Sequence, residues 1–268
     1  MALPNELPLY GALGNDFYLL EGKYRPSAIE VRKLCLPTEG RQVDGLLLLR
    51  PNSCSFDFSV INADGSDGGL SGNGLRCAAY HLFLTHPKEL EPYRFTTEAG
   101  VVEATIPTKE LVQLLFHQLA PQAPRPLPSH LSQHELELRV GCKFEHIWIV
   151  HIGNPHVILD LGHQSFEEIS FDTRVLEELR KEESLLPGGV NVSLLSRKSE
   201  SEFRLRVWER GVGETSACGS AAMACFLVSL HESYAPEKVT IIQPGGPLEL
   251  AMTASGLLLT GPVYSISI

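Results

Sequence analysis

The sequence predicts an α+β fold made of two copies of one domain, each a set of strands curled around a single buried helix. Three observations predict it. The chain repeats its own motifs in order. Short alternating segments rich in β-branched and aromatic residues recur along it. Two helical stretches are apolar nearly all round.

The repeat is visible without reference to any other protein. "GNDFYLL" at 14–20 is answered by "GNPHVIL" at 153–159, and "VDGLLLL" at 43–49 by "VNVSLL" at 190–195. Ser71-Gly72-Asn73-Gly74 is answered by Cys218-Gly219-Ser220-Ala221, and "RFTTEAGVVEATI" at 94–106 by "TIIQPGGPLELAM" at 240–252. The order is conserved within the chain and the offsets stay near about 140 to 147 residues.

Each element follows from its period and its punctuation. "SFDFSVIN" and "FRLRVWER" alternate and read as strands. "TTEAGVVEATI" and "IQPGGPLELAM" carry glycine between short apolar runs and read as hairpins. The segments 72–85 and 219–231, which include "CAAYHLFL" and "AAMACFLVSL", lack a polar face and read as buried helices. Between the copies, "LAPQAPRPLPSHLSQ" at 119–133 has the prolines of an extended connector. The closing "LLLTGPVYSISI" reads as a strand that returns to the first copy. The boundaries expected are therefore 1–119, joined by a C-terminal strand at 260–268, and 120–259.

Composition narrows the function. Of 268 residues, 43% are hydrophobic and 20% charged, the proportions of a soluble globular protein. A formal charge of −10, with no basic run, gives no electrostatic footprint for nucleic acid or an anionic membrane. "MALPNELPLYG" lacks the basic and apolar segments of a secretory signal, and no apolar run approaches membrane-spanning length. The six cysteines are widely spaced with no CxxC pair, which reads as free thiols in a reducing cytosol. Neither they nor His151 and His156 show zinc-ligand spacing, so no metal is expected.

The chemistry is expected at the two helix starts. A helix N-terminus presents unpaired N–H groups and a positive dipole end, a natural seat for a carboxylate. Glycines at Gly72, Gly74 and Gly219 let a ligand approach the backbone closely. Cys218 at such an end is expected to have a lowered thiol pKa, whereas Ser71 also reads as an ordinary N-cap. "GVGETS" is no phosphate loop, because no Gly-Lys-Ser/Thr follows it. Asn15, Asn62, Asn154 and Asn191 stand at strand ends, and Glu209 and Arg210 precede the second glycine turn. Amides, an arginine and an acid suit a zwitterionic molecule bearing a carboxylate.

Six motifs in this order resemble the diaminopimelate epimerase family: "GNDF" at 14–17, "NADGS" at 62–66, "GNG-R-C" at 72–77, "GNPH" at 153–156, "NV" at 191–192 and "ERGVGETSACGSAA" at 209–222. The resemblance implies two pseudo-symmetric lobes, each a barrel-like, mostly antiparallel sheet around a central helix, with the active site in the cleft between them. It implies inversion of LL-diaminopimelate to the meso form without a cofactor, in lysine and peptidoglycan synthesis, by a cytoplasmic homodimer. The family works with two cysteines on opposite faces of the α-carbon, one a thiolate base and the other a thiol acid. By position these fall on Ser71 and Cys218, with His156 and Glu209 beside them to assist deprotonation. Backbone at Gly72, Asn73, Gly219 and Ser220 would hold the reacting carboxylate. Asn15, Asn62, Asn154, Asn191 and Arg210 would hold the distal amino-acid end, with Glu209 also lining the substrate.

Two positions depart from the family pattern. "GRQVDG" at 40–45 stands where the family writes a glycine-rich "GIGxDG", and Ser71 stands where it has cysteine. A serine hydroxyl is far less acidic than a thiol, so the two-base mechanism loses a member. Four readings remain open: an engineered Cys→Ser replacement, a natural serine or a water acting as a slower acid or base, a related epimerase or dehydratase, and a protein that binds an amino acid without turning it over. For the third, proline racemase relatives with serine or threonine at one of these positions carry out hydroxyproline chemistry.

Overall fold

The computed structural model describes residues 3–4, 6–37, 42–86, 88–98, 100–117, 119, 124–128, 131–167, 169–181 and 188–266. Part of the "GRQVDG" departure (40–41), part of the connector (120–123 and 129–130) and the last two residues of the closing strand lie outside them. The chain forms two compact units, Met1–Leu119 with Thr253–Ile268, and Ala120–Met252. The return to the first unit thus begins at Thr253 rather than at 260, because the strand that follows pairs with the first unit's own sheet.

The first unit runs β1 (Leu9–Ala12), β2 (Asn15–Glu21), α1 (Ala28–Leu34), β3 (Gly45–Pro51), β4 (Phe56–Asn62), α2 (Gly72–Thr85), β5 (Tyr93–Thr97), β6 (Gly100–Thr108) and β7 (Leu111–Phe116). The second runs β8 (Arg125–Pro126), α3 (Gln133–Val140), β9 (His146–His151), β10 (Pro155–Asp160), α4 (Thr173–Leu179), β11 (Asn191–Arg197), β12 (Glu202–Glu209), β13 (Gly213–Thr215), α5 (Gly219–His231), β14 (Lys238–Gln243) and β15 (Gly246–Thr253). The chain then returns to the first unit as β16 (Gly256–Pro262) and β17 (Tyr264–Ile266).

In the first unit the ladder runs β17–β1–β2–β3–β4–β5–β6–β7–β16. Its two end strands are joined through Val263, so the sheet curls round on itself. Pairing is antiparallel except for β2–β3 and β4–β5. Parallel neighbours need a long crossover, and the crossovers are helices: α1 joins β2 to β3 and α2 joins β4 to β5. The second helix lies inside the curl, against β1, β2, β3, β6 and β7. That is why it has no polar face: Leu75, Cys77, Ala78, Ala79 and Leu82 are fully buried.

The second unit repeats the plan. Its parallel pairs are β10–β11, crossed by α4, and β12–β14, crossed by α5. Antiparallel pairs β9–β10, β11–β12 and β14–β15 answer β1–β2, β3–β4 and β5–β6. The internal sequence repeat is thus a repeat of strand pairing. Both expected hairpins form, closing at Thr97 opposite Gly100 and at Gln243 opposite Gly246.

The short helices α1, α3 and α4 were not among the elements expected from sequence. They cover the outer face of each sheet, so the strands are apolar on both faces. Leu46 and Leu48 pack with Val31 of α1, while Leu47, on the opposite side of the same strand, sits at the first turn of α2 beside Gly74. Leu136, Val140, Leu176 and Leu179 play the outer role in the second unit, against Val157, Leu159, Val192 and Leu194. The start of α1 did carry a local signal: Ser27 and Glu30 cap one another's backbone reciprocally. Among the described residues no helix is long and apolar enough to cross a membrane.

Gly45 begins β3 opposite Asn62. A Cβ there would overlap the Ile61 carbonyl oxygen, which is fixed in the β3–β4 ladder. Gly45→Ala is expected to lower unfolding free energy by about 1–3 kcal/mol, read as a fall in the urea midpoint; an unchanged midpoint would show that the ladder has slack there.

Candidate active site

The two buried helices begin alike. Ser71 caps α2 with φ −120° and ψ 111°, and Cys218 caps α5 with φ −133° and ψ 112°. Both backbones are extended, as an N-cap requires, yet the side chains do different things. The Ser71 hydroxyl oxygen accepts the Gly74 N–H at 3.0 Å, so this serine is a working N-cap. Cys218 makes no such cap. Its thiol donates to Glu209 Oε2 at 3.3 Å and lies 3.3 Å from Ser220 Oγ.

Glu209 reaches this position because β12 ends on it and the chain turns sharply back into β13, with Gly211 and Gly213 at positive φ. Thr215 Oγ1 donates to Glu209 Oε1 at 2.6 Å and holds the second oxygen. The Cys218 N–H donates to Gln243 Oε1 at 2.8 Å. Neither Thr215 nor Gln243 was singled out from sequence, since both act through contacts the repeat does not encode.

The environment reverses one expectation. Cys218 was expected to have a lowered pKa from the helix dipole. Burial, with the Glu209 carboxylate close by, instead pushes the thiol well above its ordinary value of 9.0. The Ser220 hydroxyl and the Ala221 N–H favour the thiolate, but more weakly. Cys218 therefore rests as a thiol whose hydrogen is directed at the Glu209 carboxyl group.

His156 is fully buried, and burial, aided by its neighbours His151 and Arg210, pulls its pKa down to about 3. It is a neutral imidazole across the physiological range. Its Nε2–H points to Asn154 Oδ1 at 2.9 Å, and Asn154 Nδ2 in turn donates to Ser220 Oγ at 3.2 Å. A hydrogen-bond chain thus runs from His156 through Asn154 and Ser220 to Cys218. Asn191 sits beside His156 across the parallel β10–β11 pair and accepts the Arg210 N–H at 2.8 Å. The Arg210 side chain is exposed and forms no ion pair among the described residues.

In the first unit a buried hydrogen-bond chain runs from Arg76 through Asn73 to Asn15. Arg76 Nη2 donates to Asn73 Oδ1 at 2.7 Å, and Asn73 Nδ2 to Asn15 Oδ1 at 2.5 Å. Arg76 also reaches the Gly72 and Pro262 carbonyls, and its burial lowers its pKa to about 10. Asn15 continues to Asp44, which also accepts the Asp16 N–H at 2.7 Å. Asn62 does not join this chain. Its amide nitrogen donates to Ser66 Oγ and to the Asp67 carbonyl, holding its own turn.

Alkylation of Cys218 follows the thiolate population, so its rate should be low at neutral pH and climb as pH rises past 9.0, the ordinary thiol value. Glu209→Gln removes the negative charge and is expected to shift that rise to lower pH. Peptide mass mapping after iodoacetamide separates Cys218 from the exposed Cys54. An identical pH profile in the two proteins would mean that Glu209 does not govern the thiol.

Comparison with known proteins supplies the context. The sequence model of the family described as Diaminopimelate epimerase matches residues 148–266. A Diaminopimelate epimerase of Synechococcus sp. is 31% identical over 274 residues, covering 96% of this chain and 94% of the relative. The Diaminopimelate epimerase of Halothermothrix orenii is 30% identical, covering 94% and 93%. Among solved structures, a predicted epimerase from Pseudomonas aeruginosa superposes with a TM-score of 0.72 at 14% identity, covering 98% of both chains.

Proposed function

The chain belongs to the diaminopimelate epimerase family, and on that premise we propose that it is an isomerase moving the α-hydrogen of diaminopimelate, LL to meso and back. The observation that carries the reading is the Cys218–Glu209 pair: a buried thiol hydrogen-bonded to a carboxylate at the start of a buried helix. Glu209 takes the thiol proton as the substrate carboxylate arrives at the Gly219 and Ser220 N–H groups. The thiolate then removes or returns the α-hydrogen from one face. His156 and Asn154 keep the Ser220 hydroxyl directed at the sulfur. Arg210, Asn191, Asn154, Asn15 and Asn62 are assigned to the distal amino-acid end. Gly72 and Asn73 backbone would add to the hold on the reacting carboxylate. Family membership alone supports the remaining parts of the reading: a cytoplasmic homodimer serving lysine and peptidoglycan synthesis.

Ser71 is assigned to the opposite face, and its hydroxyl has no pKa matched to the task. The expected behaviour is an uncoupling. This chain should exchange the α-hydrogen of one stereoisomer faster than it interconverts the two, because exchange needs one base and inversion needs two groups. Ser71→Cys should raise inversion by about 10²–10⁴-fold. Proton NMR in heavy water, following α-hydrogen loss and stereochemistry together, tests this; equal inversion in the two proteins would show that Ser71 or another group already serves that face.

The serine also favours a second reading, an epimerase of a hydroxyproline-like substrate. Turnover of trans-4-hydroxyproline with no exchange of diaminopimelate would establish it in place of the first.

Arg210 offers a second test of the substrate. A planar guanidinium binds a carboxylate with two parallel bonds and an ammonium does not, so Arg210→Lys should lower kcat/KM for diaminopimelate by about tenfold or more. Unchanged kinetics would remove Arg210 from the site.

A further inference from the structure

The Cys218 loop is held by more than its sulfur. Gln243, the last residue of β14, is only 4% exposed, and its Oε1 accepts the Cys218 N–H at 2.8 Å. Only an oxygen can accept that hydrogen, so the orientation of the amide is fixed. Its Nε2 is buried with no partner among the described residues. A leucine would fill the same space without an orphaned amide of its own, but it would leave the Cys218 N–H unpaired, and a buried donor without a partner costs free energy. The glutamine is therefore explained by its oxygen. A second bond comes from the same hairpin tip, where the Gly245 N–H donates to the Ser216 carbonyl at 2.7 Å. Two successive contacts tie the β14–β15 hairpin to the segment between β13 and α5.

We propose that Gln243 is a positioning residue for Cys218, fixing the N-cap backbone so that the sulfur stays on Glu209 and buried. This rests on the reading of Cys218 as the proton-transfer thiol. Gln243 touches no reacting atom. Its loss frees the Cys218 N–H, relaxes the loop, and takes the sulfur away from both the carboxylate and its burial. The consequence has opposite signs for two measurements. A loosened thiol is more accessible and more acidic, so it alkylates faster. It is also further from Glu209, so it is a poorer catalyst.

The test uses both. In Gln243→Met, iodoacetamide should label Cys218 about tenfold faster, the scale of one orphaned buried donor, while α-hydrogen exchange of diaminopimelate falls in kcat with KM little changed. Gln243→Glu keeps an acceptor oxygen, its carboxyl held neutral by burial, and should label at the rate of the unsubstituted chain. An unchanged rate in Gln243→Met, or equal acceleration in both variants, overturns the proposal. Hydrogen exchange on the unsubstituted chain adds a test that needs no variant to fold. The Cys218 amide should be protected like the β14 ladder, and exchange at the rate of an unprotected loop amide overturns the proposal. Labelling and amide exchange require no substrate. Failure of diaminopimelate to react would therefore overturn the proposed activity and leave the role of Gln243 to be judged separately.

Discussion

Each unit depends on one constraint: two pairs of neighbouring strands run parallel, and parallel neighbours cannot be joined by a tight turn. One crossover in each unit passes outside the sheet as a short helix, α1 or α4. The other passes as a buried helix, α2 or α5, whose side chains fill the interior. A buried helix brings with it four unpaired N–H groups at its start, and these need partners. The fold therefore creates a polar point at the mouth of each unit's apolar interior, and its strand ends furnish the side chains around it.

The two units answer the same need differently. At α2 the need is met internally: Ser71 caps Gly74, and Asn73 is locked by Arg76 and Asn15. At α5 the N-cap sulfur is turned instead to Glu209, and the cap residue's own N–H is held by Gln243. Forgoing a side-chain cap forfeits about 1 kcal/mol of helix stability. What the chain gains is a buried thiol hydrogen-bonded to a carboxyl group. The pair of Glu209 and Cys218 is thus a local departure from the best local structure, and it coincides with the only helix start in the chain that joins a thiol to an acid among the described residues.

Much of the architecture was legible because its signals are local. Helices with no polar face at 72–85 and 219–231 announce burial, and their observed bounds are those expected. Hairpins announce themselves by glycine between apolar runs. The short outer helices were missed although Ser27 and Glu30 form a capping box, since seven or eight residues give too few turns for a period to emerge. Asn15, Asn73, Asn154 and Ser220 were all selected from sequence, but the bonds that pair them with one another were not. The Asn73–Asn15 and Asn154–Ser220 bonds join residues far apart in the chain.

The sequence by itself determined the duplication, the two helix starts, the identity of the groups placed there and the family to which they belong. Each of these is written in residue type and spacing along the chain. Tertiary structure alone decided the ionisation of those groups. Cys218 is a resting thiol and His156 a neutral imidazole because residues distant in sequence exclude water from both. It also decided which amides are already engaged, that the Arg210 side chain is exposed, and that a glutamine beyond the far end of α5 accepts the backbone N–H at its beginning. Desolvation and hydrogen bonding are set by neighbours in space, and a linear pattern of residues names the neighbours in sequence only.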